Sequence, residues 1–279
     1  GGGAPAEAEL PAAAFAYRVW VSEVMLQQTR VATVVDYFLA WVEAFPTVEA
    51  LAAAEEEEVL KRWAGLGYYR RARFLLKGAK YVVDELGGAL PSDVAGLLKI
   101  PGVGPYTAHA VASIAFGARV GVVDGNVVRV LSRLLRREGN PKEPREVREY
   151  WKVANAVAHA ERPGCFNQAL MELGAVVCTP KSPACGACPV RGVCGALRQQ
   201  EATAGRKPVT AYPVTAKKAK PKEFDVDVGV LELVVPDGAG AEEAHYLMEQ
   251  RPEGGLLGGL WQFPSVVGGE RGGKPGKAR

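Results

Sequence analysis

The chain has no long apolar runs. It is 279 residues long, 48% hydrophobic and 23% charged. No stretch reaches the roughly 18–20 apolar residues that a membrane span needs, so no membrane partner is expected. The opening "GGGAPAEAELPAAAFAY" has no basic segment ahead of an apolar core, and no secretory signal is expected in it. Histidine is scarce: His109, His159 and His245 form no pattern, and each is read as structural. No strand-like alternation precedes residue 224. The net charge is only +3, so the whole-chain balance singles out no partner. What remains fits an ordinary globular protein with a sizeable core, in one large domain or two smaller ones.

The distribution of charge says more than its sum. Between Leu60 and Val83 there are seven basic residues (Lys61, Arg62, Arg70, Arg71, Arg73, Lys77, Lys80) and no acid, and a second basic stretch carries Arg129, Arg133, Arg136 and Arg137. Such stripes suit a polyanion, although solvated helix faces give the same pattern. Apolar spacing predicts helices over 19–44, 47–54, 55–64, 70–86, 92–99, 105–116, 124–137, 145–160 and 166–176. Breaks fall at "LGGALPSD" (86–93) and "IPGVGPY" (100–106). The organisation is therefore a helical domain over 1–200, a linker rich in Ala, Lys and Pro over 201–223, and a partial domain over 224–279. In the last of these "FDVDVGVLELVV" and "HYLMEQRP" read as strands.

Four stretches carry chemistry. "VWVSEVMLQQTRV" (19–31) sets a lone carboxylate, Glu23, in a helix of apolar neighbours, with the amides Gln27 and Gln28 one turn on. "LLKIPGVGPYTAHAVASIAFG" (97–117) is helix, Gly turn, helix: Gly102 and Gly104 allow close backbone approach, Pro105 suits the first helical position, and the free N–H groups there suit a phosphate. That is a helix-hairpin-helix, a sequence-independent grip on a DNA backbone; a plain αα-turn is the plainer reading. "VVDGNVVRVLSRLL" (122–135) opens with Asp124, an N-cap that could also face a DNA sugar. Finally Cys178, Cys185, Cys188 and Cys194 lie within 17 residues. With few other cysteines, a metal or cluster is favoured over disulfides, and spacing alone does not separate zinc from 4Fe-4S. Cys165 stands apart and is read as a buried apolar side chain.

Taken together these segments resemble a family. "VWVSEVMLQQTRV", "GLGYYRRAR" (65–73), "IPGVGPYTA" (100–108), "VDGNVVRVLSR" (123–133), "FNQALMELGAVVC" (166–178) and the four-Cys loop are similar to adenine DNA glycosylases of the MutY type, in the helix-hairpin-helix glycosylase superfamily. The likeness is dense over residues 17–200. "RPEGGLLGGLWQFPSV" (251–266) resembles the opening of that family's Nudix-like C-terminal domain, and "VTAYPVTAKKAK" looks more like eukaryotic members than bacterial ones.

The resemblance implies a mainly α, two-lobed helix-hairpin-helix glycosylase domain with an Fe–S loop, followed by a truncated α/β Nudix-like domain. It implies removal of adenine opposite 8-oxoguanine, or less well opposite guanine, from double-stranded DNA after the base is flipped. Glu23 would be the general acid, its apolar neighbours raising its pKa, and Asp124 would stabilise the oxocarbenium ion. Tyr106 lies where bifunctional relatives carry a Lys nucleophile, which implies a monofunctional enzyme. Tyr106 and Asn126 would support the carboxylates, and Glu172 would hold adenine. Gln28, with Gln27 and Thr29 beside it, would fill the duplex; Tyr68, with Leu66 close by, would wedge next to 8-oxoguanine. Arg70, Arg71 and Arg73 would suit phosphates, as would Lys181. The four Cys would hold a structural 4Fe-4S cluster.

A monomer is expected, in the nucleus of a eukaryote or the cytoplasm or nucleoid of a bacterium. Departures from the family are the missing Pro-Trp-Arg segment within "LPAAAFAYRVW" (10–20), and a C-terminal part that stops before the loop that reads 8-oxoguanine, which implies a weaker preference over guanine. Competing readings are an endonuclease III-like glycosylase/lyase, disfavoured by Tyr106 and Glu23; a zinc nucleobase deaminase, disfavoured because no His-x-Glu lies upstream; and a DNA-binding remnant with impaired catalysis. A Nudix hydrolase reading of the tail fails because no Glu-rich helix follows.

Overall fold

A computed structural model describes residues 11–214, 223–236, 242–252, 254 and 257–270. The chain divides into two units, 1–216 and 217–279. The first is helical: α1 (Ala12–Leu26), α2 (Val31–Ala44), α3 (Val48–Ala52), α4 (Glu56–Trp63), α5 (Arg70–Leu86), α6 (Val94–Leu97), α7 (Pro105–Phe116), α8 (Gly125–Leu135), α9 (Pro144–Val157), α10 (Pro163–Glu172) and α11 (Gly195–Ala202). A π-helical turn (Leu173–Val177) continues α10, and short 3-10 turns punctuate the segment that follows.

Two lobes share this unit. Helices α1 to α7 enclose one core around Trp20, Trp41, Trp63, Leu51 and Leu75. Trp41 sits edge-on to Trp63 at 5.5 Å, and its indole N–H donates to the Tyr17 hydroxyl at 3.2 Å, so the polar tips of both rings are satisfied inside the core. Helices α8 and α9 form a second core around Val127, Leu131, Tyr150 and Ala154. A third cluster joins α11 to Val209 and Tyr212, with Cys185 and Cys194 against it.

Local chemistry explains most of the boundaries. Thr47, Asp93 and Asp124 cap α3, α6 and α8 through side-chain oxygens. Pro105 opens α7, and α5 and α7 end on the left-handed Gly87 and Gly117. Where the structure differs from expectation, the reason is tertiary. The single helix expected over 19–44 is broken at residues 27–30 with no Gly or Pro to mark it; Gln28 takes a φ of 59° there. Helix α11 had no strong sequence signal.

The expected linker begins too early. Residues through Tyr212 pack on the helical unit, with Tyr212 buried and its carbonyl accepting from Arg133 Nε at 3.0 Å. Cys165 is exposed rather than buried.

In the second unit the described residues form antiparallel pairs: β1 (Phe224–Val228) with β6 (Ser265–Glu270), β2 (Glu232–Pro236) with β3 (Glu242–Tyr246), and β4 (Glu249–Gln250) with β5 (Trp261–Gln262). The strand expected over 224–235 divides at 229–231, and the one expected over 245–252 becomes the end of β3 plus β4. The expected α/β character appears among the described residues only as strands, with Phe224, Val226, Leu233 and Trp261 exposed.

Candidate active site and cluster loop

Glu23 lies in the last turn of α1, against α7, and is only 7% exposed. The sequence makes this inevitable once the helix packs: Trp20, Val21, Val24 and Met25 are buried on the same helix, and they take the carboxylate with them. Burial raises the Glu23 pKa above the usual carboxylate value of 4.5, and the negative charge of Asp124 raises it further. One interaction opposes them: the Tyr106 hydroxyl, on the first turn of α7, donates to Glu23 Oε2 at 2.5 Å. Burial, and then the nearby Glu23, push the Tyr106 phenol well above its ordinary value, so it stays protonated and acts as a donor. The Met171 sulfur lies 3.6 Å from the same hydroxyl.

Asp124 has the opposite surroundings. It is half-buried at the N-terminus of α8, where Oδ1 accepts from the Val127 N–H at 2.7 Å and Oδ2 accepts from the Asn126 amide at 2.8 Å. One side chain thus both caps α8 and accepts from a neighbouring amide. Asn126 is held in turn: its Oδ1 accepts from Arg129 at 2.7 Å, while Arg129 also donates to the carbonyls of Gly174 and Cys178 at 2.6 and 2.7 Å. A Cβ on Gly174 would fall 2.6 Å from the Asn126 Cβ, so the π-helical turn approaches α8 as closely as only glycine allows. Sequence reasoning placed Arg129 and Arg133 in a basic stripe. Both instead point inward.

Arg133, 1% exposed, gathers the cysteine loop. It donates to the carbonyls of Thr179 and Pro180 at 2.8 and 3.0 Å and approaches the Cys178 sulfur at 3.3 Å. Cys178, Cys185, Cys188 and Cys194 line one cavity with Val130, Leu173 and Leu197, and none is in a disulfide. Burial and the other three cysteines raise the Cys185 pKa. Four cysteine sulfurs lining one cavity are a donor set that a metal group can take as thiolates. Among the described residues no group of three His, Cys, Asp or Glu is disposed to hold a metal ion.

The hairpin forms as expected. Gly102 has a φ of 84°, and a Cβ there would lie 2.5 Å from Phe74; Gly104 caps α7 with ordinary backbone angles and open space around it. The first turn of α7 is thus free to meet an anion.

The remaining predicted contacts divide. Gln28 and Tyr68 are exposed, Tyr68 at 64%. Arg70 is exposed, with its guanidinium over the Phe74 ring. Lys181 and Glu172 are exposed, and Glu172 precedes the π-helical turn next to Met171. Leu66 is buried in the first core and cannot lie beside a base as placed. Gln27 donates its amide to Thr107 at 3.2 Å, tying α1 to α7. Arg71 is buried among carbonyls, and Arg73 pairs with Glu56 at 2.8 Å, so neither is set out for phosphate.

Comparison with known proteins agrees with this architecture. The model of the HhH-GPD superfamily base excision DNA repair proteins matches residues 21–155, and that of the iron-sulfur binding domain of endonuclease III matches residues 178–194. The chain is 46% identical over 271 residues to an adenine DNA glycosylase of Arabidopsis thaliana, covering 90% of this chain and 42% of that protein. It is 44% identical over 297 residues to one of Homo sapiens, covering 94% of this chain and 54% of that protein. The chain thus spans about half the length of these curated relatives. Among solved structures, a thermostable thymine-DNA glycosylase superposes with a TM-score of 0.60 at 26% identity, over 66% of this chain and 85% of that one. A non-covalent endonuclease III–DNA complex gives 0.58 at 27% identity, over 67% and 86%. The cysteine loop is an iron–sulfur site. A buried acid paired with Tyr106, a capping Asp124, the Gly-turn hairpin and the cluster loop thus go with a sequence that matches the HhH-GPD superfamily model over residues 21–155 and is similar to adenine DNA glycosylases over 90% or more of this chain.

Proposed function

We propose that this chain hydrolyses the N-glycosidic bond of adenine mispaired with 8-oxoguanine or guanine in double-stranded DNA, without a lyase step of its own. The observation that carries the reading is the buried Glu23, whose pKa is raised by burial and by Asp124 and whose carboxyl is held in place by the Tyr106 hydroxyl. The adenine is extruded from the stack, and the Glu23 carboxyl transfers its proton to adenine N7. The C1′–N9 bond breaks with its electron pair going to the base, which leaves as neutral adenine. Positive charge on the sugar is opposed by the Asp124 carboxylate, which the Val127 N–H and the Asn126 amide hold in place. The Glu23 carboxylate then takes a proton from water as its oxygen bonds to C1′, which restores the acid and leaves an abasic site.

Tyr106 holds Glu23 by donating to it. Its phenol has no amine with which to form a Schiff base, which supports the monofunctional reading. The cysteine set is proposed to hold a four-iron cluster, whose part is to fix the loop. Gln28 and Tyr68 would enter the duplex, with Arg70, Lys181 and the start of α7 on phosphates.

The test is single-turnover excision on a duplex with one adenine opposite 8-oxoguanine, read before and after hot alkali. Strand breaks only after alkali, lost in Glu23→Gln, are expected. Breaks without alkali would favour a glycosylase/lyase, and tight binding with no product would favour a DNA-binding remnant.

A further inference from the structure

The end of α1 poses a problem of unpaired carbonyls. A helix leaves its last carbonyls without intrahelical partners. They are commonly met by a left-handed glycine or a basic side chain in the last turn, and α1 has neither. The partner arrives from α5 instead. Nη1 of Arg71 lies 2.6 Å from the Gln27 carbonyl, 2.9 Å from that of Met25, 3.1 Å from that of Val24 and 3.3 Å from the Thr29 hydroxyl. Nη2 of the same guanidinium turns the other way, to the carbonyls of Leu66 and Gly67 at 3.2 and 3.0 Å. Its plane lies over Trp63 and Tyr68, 5.1 and 5.5 Å from the ring centroids.

One buried cation therefore joins two turns far apart in sequence, 26–30 and 65–69. Each carries an exposed side chain on a left-handed backbone: Gln28 at a φ of 59° and Tyr68 at 49°. Residues with a Cβ avoid that region, and they persist in it only where their surroundings over-determine it. The second turn is held further by Trp63 Nε1 on the Gly67 carbonyl at 2.9 Å and by the Tyr37 hydroxyl on the Ala64 carbonyl at 2.9 Å.

We propose that Arg71 is the positioning residue that sets Gln28 and Tyr68 as a single wedge, so that the two side chains enter the duplex in register on opposite members of the opened pair. The proposal rests on the glycosylase reading above. It assigns Arg71 no contact with DNA. A lysine in its place keeps the charge but offers one nitrogen, which cannot face both turns as the planar fork does.

The experiment compares Arg71→Lys and Arg71→Met with the parent chain, each with Gln28 and Tyr68 intact and with both changed to alanine. Pair opening is followed by stopped-flow fluorescence of 2-aminopurine placed beside the mispaired adenine. Amide hydrogen exchange of both turns is measured on the same proteins. With the wedge intact, the arginine variants should slow opening about tenfold; in the alanine background the same changes should slow it less than about twofold, a coupling expected of residues that act together. Exchange should rise in both turns at once.

Equal slowing in both backgrounds, or exchange that rises in one turn alone, would overturn the proposal. Exchange in both turns tests it even if the methionine variant is too unstable for kinetics, because the lysine variant keeps the buried charge. A parent chain that opens the pair but excises no adenine would sink the glycosylase reading and leave the coupling measurable. A parent that does not open the pair would overturn both.

Discussion

Two carboxyl side chains, Glu23 and Asp124, have opposite surroundings. Glu23 is enclosed by the side chains of its own apolar helix and has one donor, Tyr106, to offset the loss of water. Asp124 sits at a helix start with two donors of its own, one from the backbone and one from Asn126. The first environment penalises charge; the second supplies hydrogen-bond donors. The difference shows how one fold gives two carboxyl side chains unlike surroundings, through the placement of each along its helix.

The largest expected break in this comparison is Glu23→Gln. Excision should fall roughly 10³–10⁴-fold, the range of a lost general acid, as read by single-turnover kinetics. Stability should move the other way. A folded-state pKa above 4.5 means the folded protein binds more protons than the unfolded one at intermediate pH. Stability is therefore lost as pH rises from the unfolded value through the folded one. Glutamine removes that penalty, so Tm at neutral pH should rise, and the gain should vanish as pH falls below 4.5. A variant less stable than the parent at neutral pH would show that burial does not penalise the Glu23 charge.

Asp124 should behave in the opposite sense. Asparagine also caps helices, so Asp124→Asn should keep stability and lose roughly 10²–10³-fold in excision. Asp124→Ala should lose the activity and also about 1 kcal/mol of stability with the cap. Equal melting of the two variants would show that the cap contributes little.

Arg129→Met sharpens the comparison by one step of distance. It leaves Asp124 in place but removes the donor that orients Asn126 and spans to the Gly174 and Cys178 carbonyls. Excision should fall about tenfold to a hundredfold, the usual cost of losing an orienting partner, together with the visible absorption of the cluster. Unchanged cluster content and rate would mean that the bridge is decorative.

The smallest effect is expected from Tyr106→Phe. The rate should fall about three- to tenfold, the worth of a single hydrogen bond. Because that bond lowers the Glu23 pKa, its loss lets burial and Asp124 push the pKa further up. The alkaline limb of the pH profile, which follows loss of the Glu23 proton, should move to higher pH. Movement to lower pH would overturn the assignment of Tyr106 as donor.

Much of this was legible in the sequence because it is local. The cap at Asp124, the Gly turn at Gly102, the apolar setting of Glu23 and the four cysteines each need only near neighbours to express their chemistry. Arginines were not legible in this way. Arg71, Arg129 and Arg133 read as surface charge in a linear stretch, since nothing local shows that the carbonyls of distant turns will need a donor. The placements of Leu66 and Gln27 were not legible for the same reason: Leu66 packs into the core and Gln27 bonds Thr107 on a helix distant in sequence.

The sequence by itself determined which groups this protein carries, namely an acid among apolar neighbours, a capping acid, a Gly turn ahead of a helix start and four thiols. Only the tertiary structure decided how those groups are held. Helix propensity and apolar spacing act over a few residues, whereas a buried guanidinium must find its acceptors wherever packing has left carbonyls unpaired. The break between α1 and α2, the π-helical turn over Gly174 and the clamp at Arg71 all follow from that long-range need to satisfy buried polar groups.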